Sequence, residues 1–289
     1  MTGLADLFGI LLGGLSAGMV LFIVSVGLSI TMGLMGVVNL AHGGFAMLGG
    51  YVIAKVMLLW GIPFLGALGI GFVVIALFSA VLEQLLYVHY YNATELDQVL
   101  FTVGLLFVMT ASVTLLFGPE SQHIALPQWL QGQVNLGLLE YRTYSLFLIV
   151  CGACIAGLLV LGFDKTRFGA EIRAAVDNRR MAESMGVDVN RLFMITFALG
   201  SGLAALGGGL GAEFLGLDAQ YPFKYLVYFL IVVAIGVGKQ ISGVFYASLL
   251  IGILDFVLKR YIPRGGAFFI FGLTIILLLW RPKGLFSRG

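Results

Sequence analysis

The sequence predicts an all-α, polytopic membrane protein of eight or nine transmembrane helices, some of them short or broken. Three observations carry that expectation. Of the 289 residues 60% are apolar and only 10% charged, against about 25% charged in soluble domains. Apolar runs of about 20 residues, the length that crosses roughly 30 Å of hydrocarbon, recur along the whole chain. Of the 16 Lys/Arg and 14 Asp/Glu, eleven fall between Asp164 and Arg191, which leaves the rest nearly uncharged. A water-soluble fold is excluded, and residues 1–289 read as one membrane domain. A net charge of +2 without clustered basic residues on an accessible face also excludes a nucleic-acid binder.

The runs lie near 8–37, 44–60, 62–82, 99–117, 143–163, 191–216, 223–238, 241–258 and 267–280. The first contains no basic residue, since the earliest is Lys55, so it lacks the n-region of a cleavable signal and is expected to stay. It is long for one span. Beyond it, Asn39, His42, Gly43 and Gly44 follow without an intervening charge. Unpaired polar groups in hydrocarbon cost several kcal/mol, so Asn39 and His42 should face protein or a cavity, with Gly43-Gly44 permitting a break in the helix. Two readings stay open: a half-helix lining a route through the membrane, or a structural turn whose side chains satisfy freed backbone groups. Lys55, five residues from Trp60, reads as snorkelling to headgroups.

The connection 83–98 carries Glu83, Glu95 and Asp97 but no Lys or Arg. Residues 118–142 are polar, contain prolines and hold a single basic residue, Arg142, which suits an exposed cap of irregular or hairpin structure. Cys151 and Cys154 lie in an apolar run, where small-residue packing is the natural role and the accessible thiolate of a redox motif is not provided. In 200–211 the small residues Gly200, Ala204 and Gly208 recur at i, i+4 spacing, which permits close helix contact. The pieces after Pro222 are short and punctuated by Gly236, Gly238, Gly243 and Gly252, as in segments that line cavities. Glu213, Asp218 and Asp255 fall near span ends, where interfacial solvation is the expected role. Trp60, Trp129 and Trp280 sit at span ends or in the outer loop, as interfacial anchors do.

Sidedness follows from Lys/Arg in short loops. Residues 164–191 hold Lys165, Arg167, Arg173, Arg179, Arg180 and Arg191, and the carboxyl end holds Arg281, Lys283 and Arg288, which places both in the cytoplasm and 118–142 outside. Lys259, Arg260 and Arg264 run against the rule. No metal or cofactor is expected: His42, His89 and His123 are dispersed without ligand spacing, and Gly238-Lys239 is followed by Gln240 with Val233 where a P-loop needs its first glycine.

The run DKTRFGAEIRAAVDNRRMAESMGVDVNRL is the one stretch that reads as an amphipathic surface element. Phe168, Ile172, Ala175 and Val176 share one helical face, a break falls near Asn178, Met181 and Met185 share a side of a second short helix, and Gly186 occupies a C′ position. Connections have a median of about 4–6 residues, so this one is long, and its apolar face needs a cover. Six basic and five acidic residues alternate along it, which favours a protein groove over the mostly basic polar face of a lipid-bound helix.

Several separated stretches together resemble the inner-membrane permease subunits of high-affinity branched-chain amino acid ABC importers. GLSITMGLMGVVNLAHGGFAMLGGYV (27–52) resembles the family's amino-terminal signature and LDQVLFTVGLLF (96–107) its fourth-span entry. TRFGAEIRAAVDNRRMAESMGVDVNRLFMITFALGSGLAALGGGL (166–210) is similar to its ATPase-coupling loop and following span, and RPKGLF (281–286) to its ending. One place departs: many relatives carry an Arg-Pro-x-Arg-like stretch where this chain reads YVHYYNATELDQ. The resemblance implies a multi-pass protein of the bacterial inner membrane with a cytoplasmic carboxyl terminus, a periplasmic loop at 118–142 and a coupling loop at 164–190. It implies as partners a second related permease, cytoplasmic ABC ATPases and a periplasmic substrate-binding protein. Carried over by position, Gly169, Glu171, Arg173, Ala174, Asn178 and Gly186 would form the coupling element. The same likeness extends to urea or short-chain amide importers. An ion-coupled secondary carrier is the more distant alternative, and it would need acids at the membrane midplane.

Overall fold

A computed structural model describes all residues except Met1, Asn92, Leu136, Leu138, Leu139, 237–240, 263–265 and 281–289. The expectations placed on Gly238, Lys239, Arg264 and RPKGLF with its basic residues therefore lie outside the described residues. The described residues form eleven α-helices: α1 (Thr2–Ser29), α2 (His42–Trp60), α3 (Phe64–Leu85), α4 (Glu95–Phe117), α5 (Thr143–Asp164), α6 (Arg167–Asp177), α7 (Arg179–Ser184), α8 (Val189–Leu215), α9 (Tyr221–Gly236), α10 (Ile241–Tyr261) and α11 (Gly266–Trp280). Seven of them, α1 to α5, α8 and α10, are long and apolar enough to cross a membrane, and α9 and α11 are shorter apolar helices. This agrees with the eight or nine expected.

Helices in lipid gain nothing by hiding apolar surface from each other, so close backbone approach at small residues has to hold them together. Helices α1, α2 and α8 form the centre on this principle. A Cβ on Gly27 would lie 2.2 Å from the Gly200 carbonyl oxygen, one on Gly208 would lie 1.9 Å from the Ala46 carbonyl oxygen, and one on Gly49 would lie 2.3 Å from Ala205. The small residues of 200–211 are thus the contact face of α8, as their spacing predicts. Helix α10 lies along α1 in the same manner, with Gly252 against Gly18. Consequently Gly243 and Gly252 do not interrupt α10, contrary to expectation; they sit buried inside one continuous helix.

The two ends of the bundle differ. At one end strands β1 (Gln133–Asn135) and β2 (Glu140–Arg142) form an antiparallel hairpin, which bears out the expected cap. Arg142 bonds Glu213 at the end of α8 at 3.0 Å, and Glu140 and Tyr141 share a cavity with Asp6, Ile10 and Arg260. The start of α1 and the ends of α8 and α10 therefore lie at this hairpin end. At the opposite end α6 and α7 form a knob between α5 and α8. The connection between α3 and α4, which includes a 3₁₀ turn at Tyr87–Tyr90, lies on the same side as the knob, because Glu83, Gln84 and Val88 line one cavity with Asp188, Asn190 and Arg191. Lys55 is half-buried with its ammonium 5.6 Å from the centre of the Phe117 ring at the end of α4, a cation–π contact.

Gly208→Val should lower the thermal stability of the detergent-extracted protein, because overpacking a tight helix contact costs about 1–3 kcal/mol or more. Gly104→Ala, whose Cβ meets nothing within 4 Å, should leave it unchanged. A thermal aggregation scan of both variants checks this.

Candidate functional site

The knob is built by three side-chain caps in succession. The Thr166 hydroxyl accepts from the Gly169 amide at 3.4 Å, Asn178 Oδ1 accepts from the Met181 amide at 3.0 Å, and Asp188 Oδ1 accepts from the Arg191 amide at 3.0 Å. Each satisfies an orphan donor at a helix start, so α6, α7 and α8 begin where these residues stand. Asn178 both ends α6 and starts α7, the break its sequence position predicts. Gly186 has φ +88°. Around it Gly186 N–H donates to the Glu183 carbonyl at 3.0 Å and Val187 N–H to the Ala182 carbonyl at 3.1 Å, the double bond of a Schellman turn.

The apolar face of the knob does not await a partner. Ile172, Ala175 and Ala182 are 1%, 3% and 4% exposed, because α6 lies back against α5, α8 and the end of the α1 segment. The expected external groove for this face is therefore corrected: the chain covers it. Gly169 belongs to the same inward side, where a Cβ would lie 1.8 Å from the Phe163 carbonyl oxygen. Arg173 donates from Nη1 to that same carbonyl at 2.5 Å, and so closes the end of α5. Glu171, Ala174, Asn178 and Gly186 face outward. Beside them stand Met181 and Met185, 62% and 79% exposed, two apolar side chains left for something else.

The second constellation is the break between α1 and α2. Helix α1 runs into a π-helical turn at Ile30–Leu34, Gly36 takes φ +68°, and the backbone is non-helical until His42. The break thus falls at Gly36. Gly43 and Gly44 lie in the first turn of α2, where Gly43 admits Pro222 at the start of α9 and Gly44 admits Met109 of α4. Non-helical backbone in this setting needs partners inside the protein, and α4 supplies them. Gln98 Oε1 accepts from the Val38 amide at 2.9 Å and the Thr102 hydroxyl oxygen from the Leu40 amide at 3.2 Å. Tyr87 O–H donates to Asn39 Oδ1 at 2.9 Å. His42 lies 3.0 Å from the Val24 carbonyl through Nε2, which must be the donor because a carbonyl only accepts.

Asn39 and His42 are fully buried, and Asn39 Nδ2, His42 Nδ1 and the Tyr221 hydroxyl have no partner among the described residues. The structure brings Asn39, His42, Gly43 and Gly44 together at the meeting point of two helix starts, those of α2 and α9. It keeps them apart from the knob residues. Gln98, Thr102 and Tyr87 escape the sequence reading of this site. The available signal for Gln98 and Thr102 is two uncharged polar residues at i, i+4 at the start of a largely apolar span.

Three acids outside these sites are paired with cations. Asp218 pairs with Lys224, Asp255 with Lys259 at 2.6 Å, and Glu213 with Arg142. Tyr91, in the connection after α3, donates to Glu83; burial, then that bond, pushes its phenol well above the ordinary tyrosine range, so it remains a donor at neutral pH.

The model of the family described as branched-chain amino acid transport system / permease component matches residues 10–279. The chain belongs to this family. The permease protein LivH of the high-affinity branched-chain amino acid transport system of Escherichia coli is 26% identical over 95% of this chain and 94% of its own. BraD of Pseudomonas aeruginosa, a permease protein of the same kind of system, is 24% identical over 96% of this chain and 95% of its own. LivM of Escherichia coli is 24% identical over 92% of this chain and 68% of its own. No solved structure matches. Membership accounts for a permease body of membrane-crossing helices.

Replacing Gln98 by Ala leaves the half-buried Val38 amide without that partner, at a cost of about 1–3 kcal/mol. The backbone amides of 37–41 should then exchange with deuterium about five- to a hundredfold faster, while those of α8 stay protected. Exchange mass spectrometry of the solubilised protein checks this.

Proposed function

We propose that this permease is one membrane half of an ATP-driven importer that carries branched-chain amino acids, or similar small amphipathic solutes, into a bacterial cell. The observation that carries the reading is the knob. It is too firmly capped and packed to be a slack connection, and it presents Glu171, Ala174, Asn178 and an exposed methionine pair outward from the ends of two spans. Methionine side chains adapt to a partner's surface, and the alternating charges around them suit a protein groove. A cytoplasmic ATPase is the fitting occupant: this sequence carries no P-loop spacing, so ATP-derived energy would come from another chain.

On this reading the knob end and the carboxyl terminus face the cytoplasm, and the hairpin end, with 118–142, faces the periplasm, where a binding protein would deliver solute. A second related permease completes the pore, and the relatives LivH and LivM, both permease proteins of one kind of system, support such a pair. The mechanism is alternating access, a shift between two bundle arrangements that a partner biases. Asn39, His42, Gly43 and Gly44 would lie on the translocation route. Discontinuous helix starts often do so in transporters, and the unpartnered Asn39 Nδ2, His42 Nδ1 and Tyr221 hydroxyl are available there. An ion-coupled carrier fits less well, since Glu213, Asp218 and Asp255 each pair with a nearby cation.

Purifying the tagged chain from its native membrane should recover a second permease and ATPases, and the eluate should hydrolyse ATP; a lone chain without ATPase overturns the reading. Met181→Asp combined with Met185→Asp should cut ATPase recovery at least tenfold while the permease inserts normally. Gly186→Val should keep the ATPase bound but lower leucine uptake, because a β-branched residue is strained at positive φ. Unchanged uptake by Gly186→Val would count against the knob as the moving part.

A further inference from the structure

Knob and break lie on different helices; α6 touches the π-helical turn before the break, and the short connection between α3 and α4 joins the knob end of α8 to residues 38 and 39 themselves. Starting from the knob, Arg179 of α7 donates to Asn190 Oδ1 at 2.7 Å and holds its guanidinium 5.7 Å from the centre of the Phe193 ring. Phe193 and Phe197 stand one turn apart on the same face of α8. The Tyr91 ring meets Phe193 edge-on at 5.7 Å, and the Tyr87 ring packs 4.6 Å from Phe197 and 5.1 Å from Phe101 of α4. The connection is thus clamped against the knob end of α8 by two aromatic pairs.

Its other side holds the break. Tyr87 is fully buried and its hydroxyl donates to Asn39. Gln98 grips both parts at once: its Nε2 donates to the Tyr90 carbonyl at 3.1 Å while its Oε1 accepts from Val38. The segment it holds has the features of an element with two arrangements, a π-helical turn, which is common at functional sites and seldom stable for its own sake, and a left-handed Gly36. Contiguous packed side chains between rigid elements are the physical route by which displacement at one site biases another.

We infer that the 3₁₀ connection is the transmission link between the coupling knob and the helix break, with Tyr87 as its positioning residue. The inference rests on the function proposed above. When a partner displaces the knob, the start of α8 carries Phe193 and Phe197 with it, the connection follows through Tyr91 and Tyr87, and the Tyr87–Asn39 bond pulls on residues 37–41. Tyr87 touches no solute in this scheme; it fixes where the break stands for a given position of α8.

The test uses the full importer, purified with its partners and reconstituted in liposomes, and reads leucine moved per ATP hydrolysed. Tyr87→Phe keeps the ring between Phe101 and Phe197 and removes only the hydroxyl. Phe193→Leu loosens the other end of the link without touching the break. Each is expected to leave ATP turnover within about twofold of wild type and to lower leucine per ATP at least about fivefold, the low end of ordinary inter-site coupling. The double variant should be no worse than the poorer single variant, as for two cuts in one chain. If uptake and ATP hydrolysis fall together at an unchanged ratio, or if the two losses multiply, Tyr87 is merely structural and the link is overturned. Should Tyr87→Phe fail to assemble, Phe193→Leu decides alone on the same ratio. A wild-type complex that does not couple ATP to uptake defeats the function proposed above and the link with it, whereas a coupled wild type with coupled variants defeats only the link.

Discussion

Every backbone amide and carbonyl inside a bilayer has to find its partner within the protein, and the interrupted helix between Leu34 and His42 is where this chain meets that demand. Val38 and Leu40 cannot bond to their own helix, so α4 brings Gln98 and Thr102 to them. That requirement fixes α4 against the break, and Gln98's second grip on Tyr90 fixes the connection before α4 as well. An uncharged amide is the suitable group because it can accept on one side and donate on the other without a desolvated charge. A carboxylate there would only accept and would have to be neutralised.

The knob answers a different problem. Two short helices of 11 and 6 residues are far below the length at which an isolated helix is stable in water. They persist because the Thr166 and Asn178 caps define their starts and because Ile172, Ala175 and Ala182 are buried against the rest of the chain. Gly169 and Arg173, both converging on the Phe163 carbonyl, weld α6 to the end of α5. A loop secured in this way transmits force; a solvated tether of the same length would absorb it. Its outward face is free to be specific for a partner because its inward face already supplies the stability.

Much of this is legible in the sequence, and the illegible part has a common cause. Apolar runs, the amphipathic face at 168–176, the boundary at Asn178 and the turn glycine at 186 are local patterns, and each appears where its pattern stands. The pair Asp255–Lys259 is also local. Contacts between distant segments leave no such mark. Arg142 finds Glu213 across 71 positions, and Val38 finds Gln98 across 60, so neither partner is signalled by its neighbours. Glycine is ambiguous for the same reason. Gly43-Gly44 reads as a break and is a packing surface, Gly243 and Gly252 read as interruptions and lie within a continuous helix, and the break occurs at Gly36, which nothing nearby distinguishes. Whether a membrane glycine bends the chain or admits a neighbour depends on whether another backbone arrives, and that is decided by the rest of the bundle.

Helix α8 combines two kinds of surface, and their order along the helix matters for motion. From Gly200 to Gly211 it meets α1 and α2 largely through glycine and alanine, with backbone against backbone at Gly200 and Gly208 and with Val24, Ile53 and Val20 seated against Gly207, Gly209 and Gly211. At its knob end it presents Phe193 and Phe197, which interlock with Tyr91 and Tyr87. A face of small residues tolerates the small sliding of packed helices that underlies shear motions, because glycine and alanine leave the facing side chains room to shift. An interlocked aromatic face does not slide and drags its neighbour instead. A displacement applied at the knob would therefore be accommodated along the glycine-lined centre and passed on at the aromatic end, which directs it toward the connection and the helix break rather than dispersing it through the bundle.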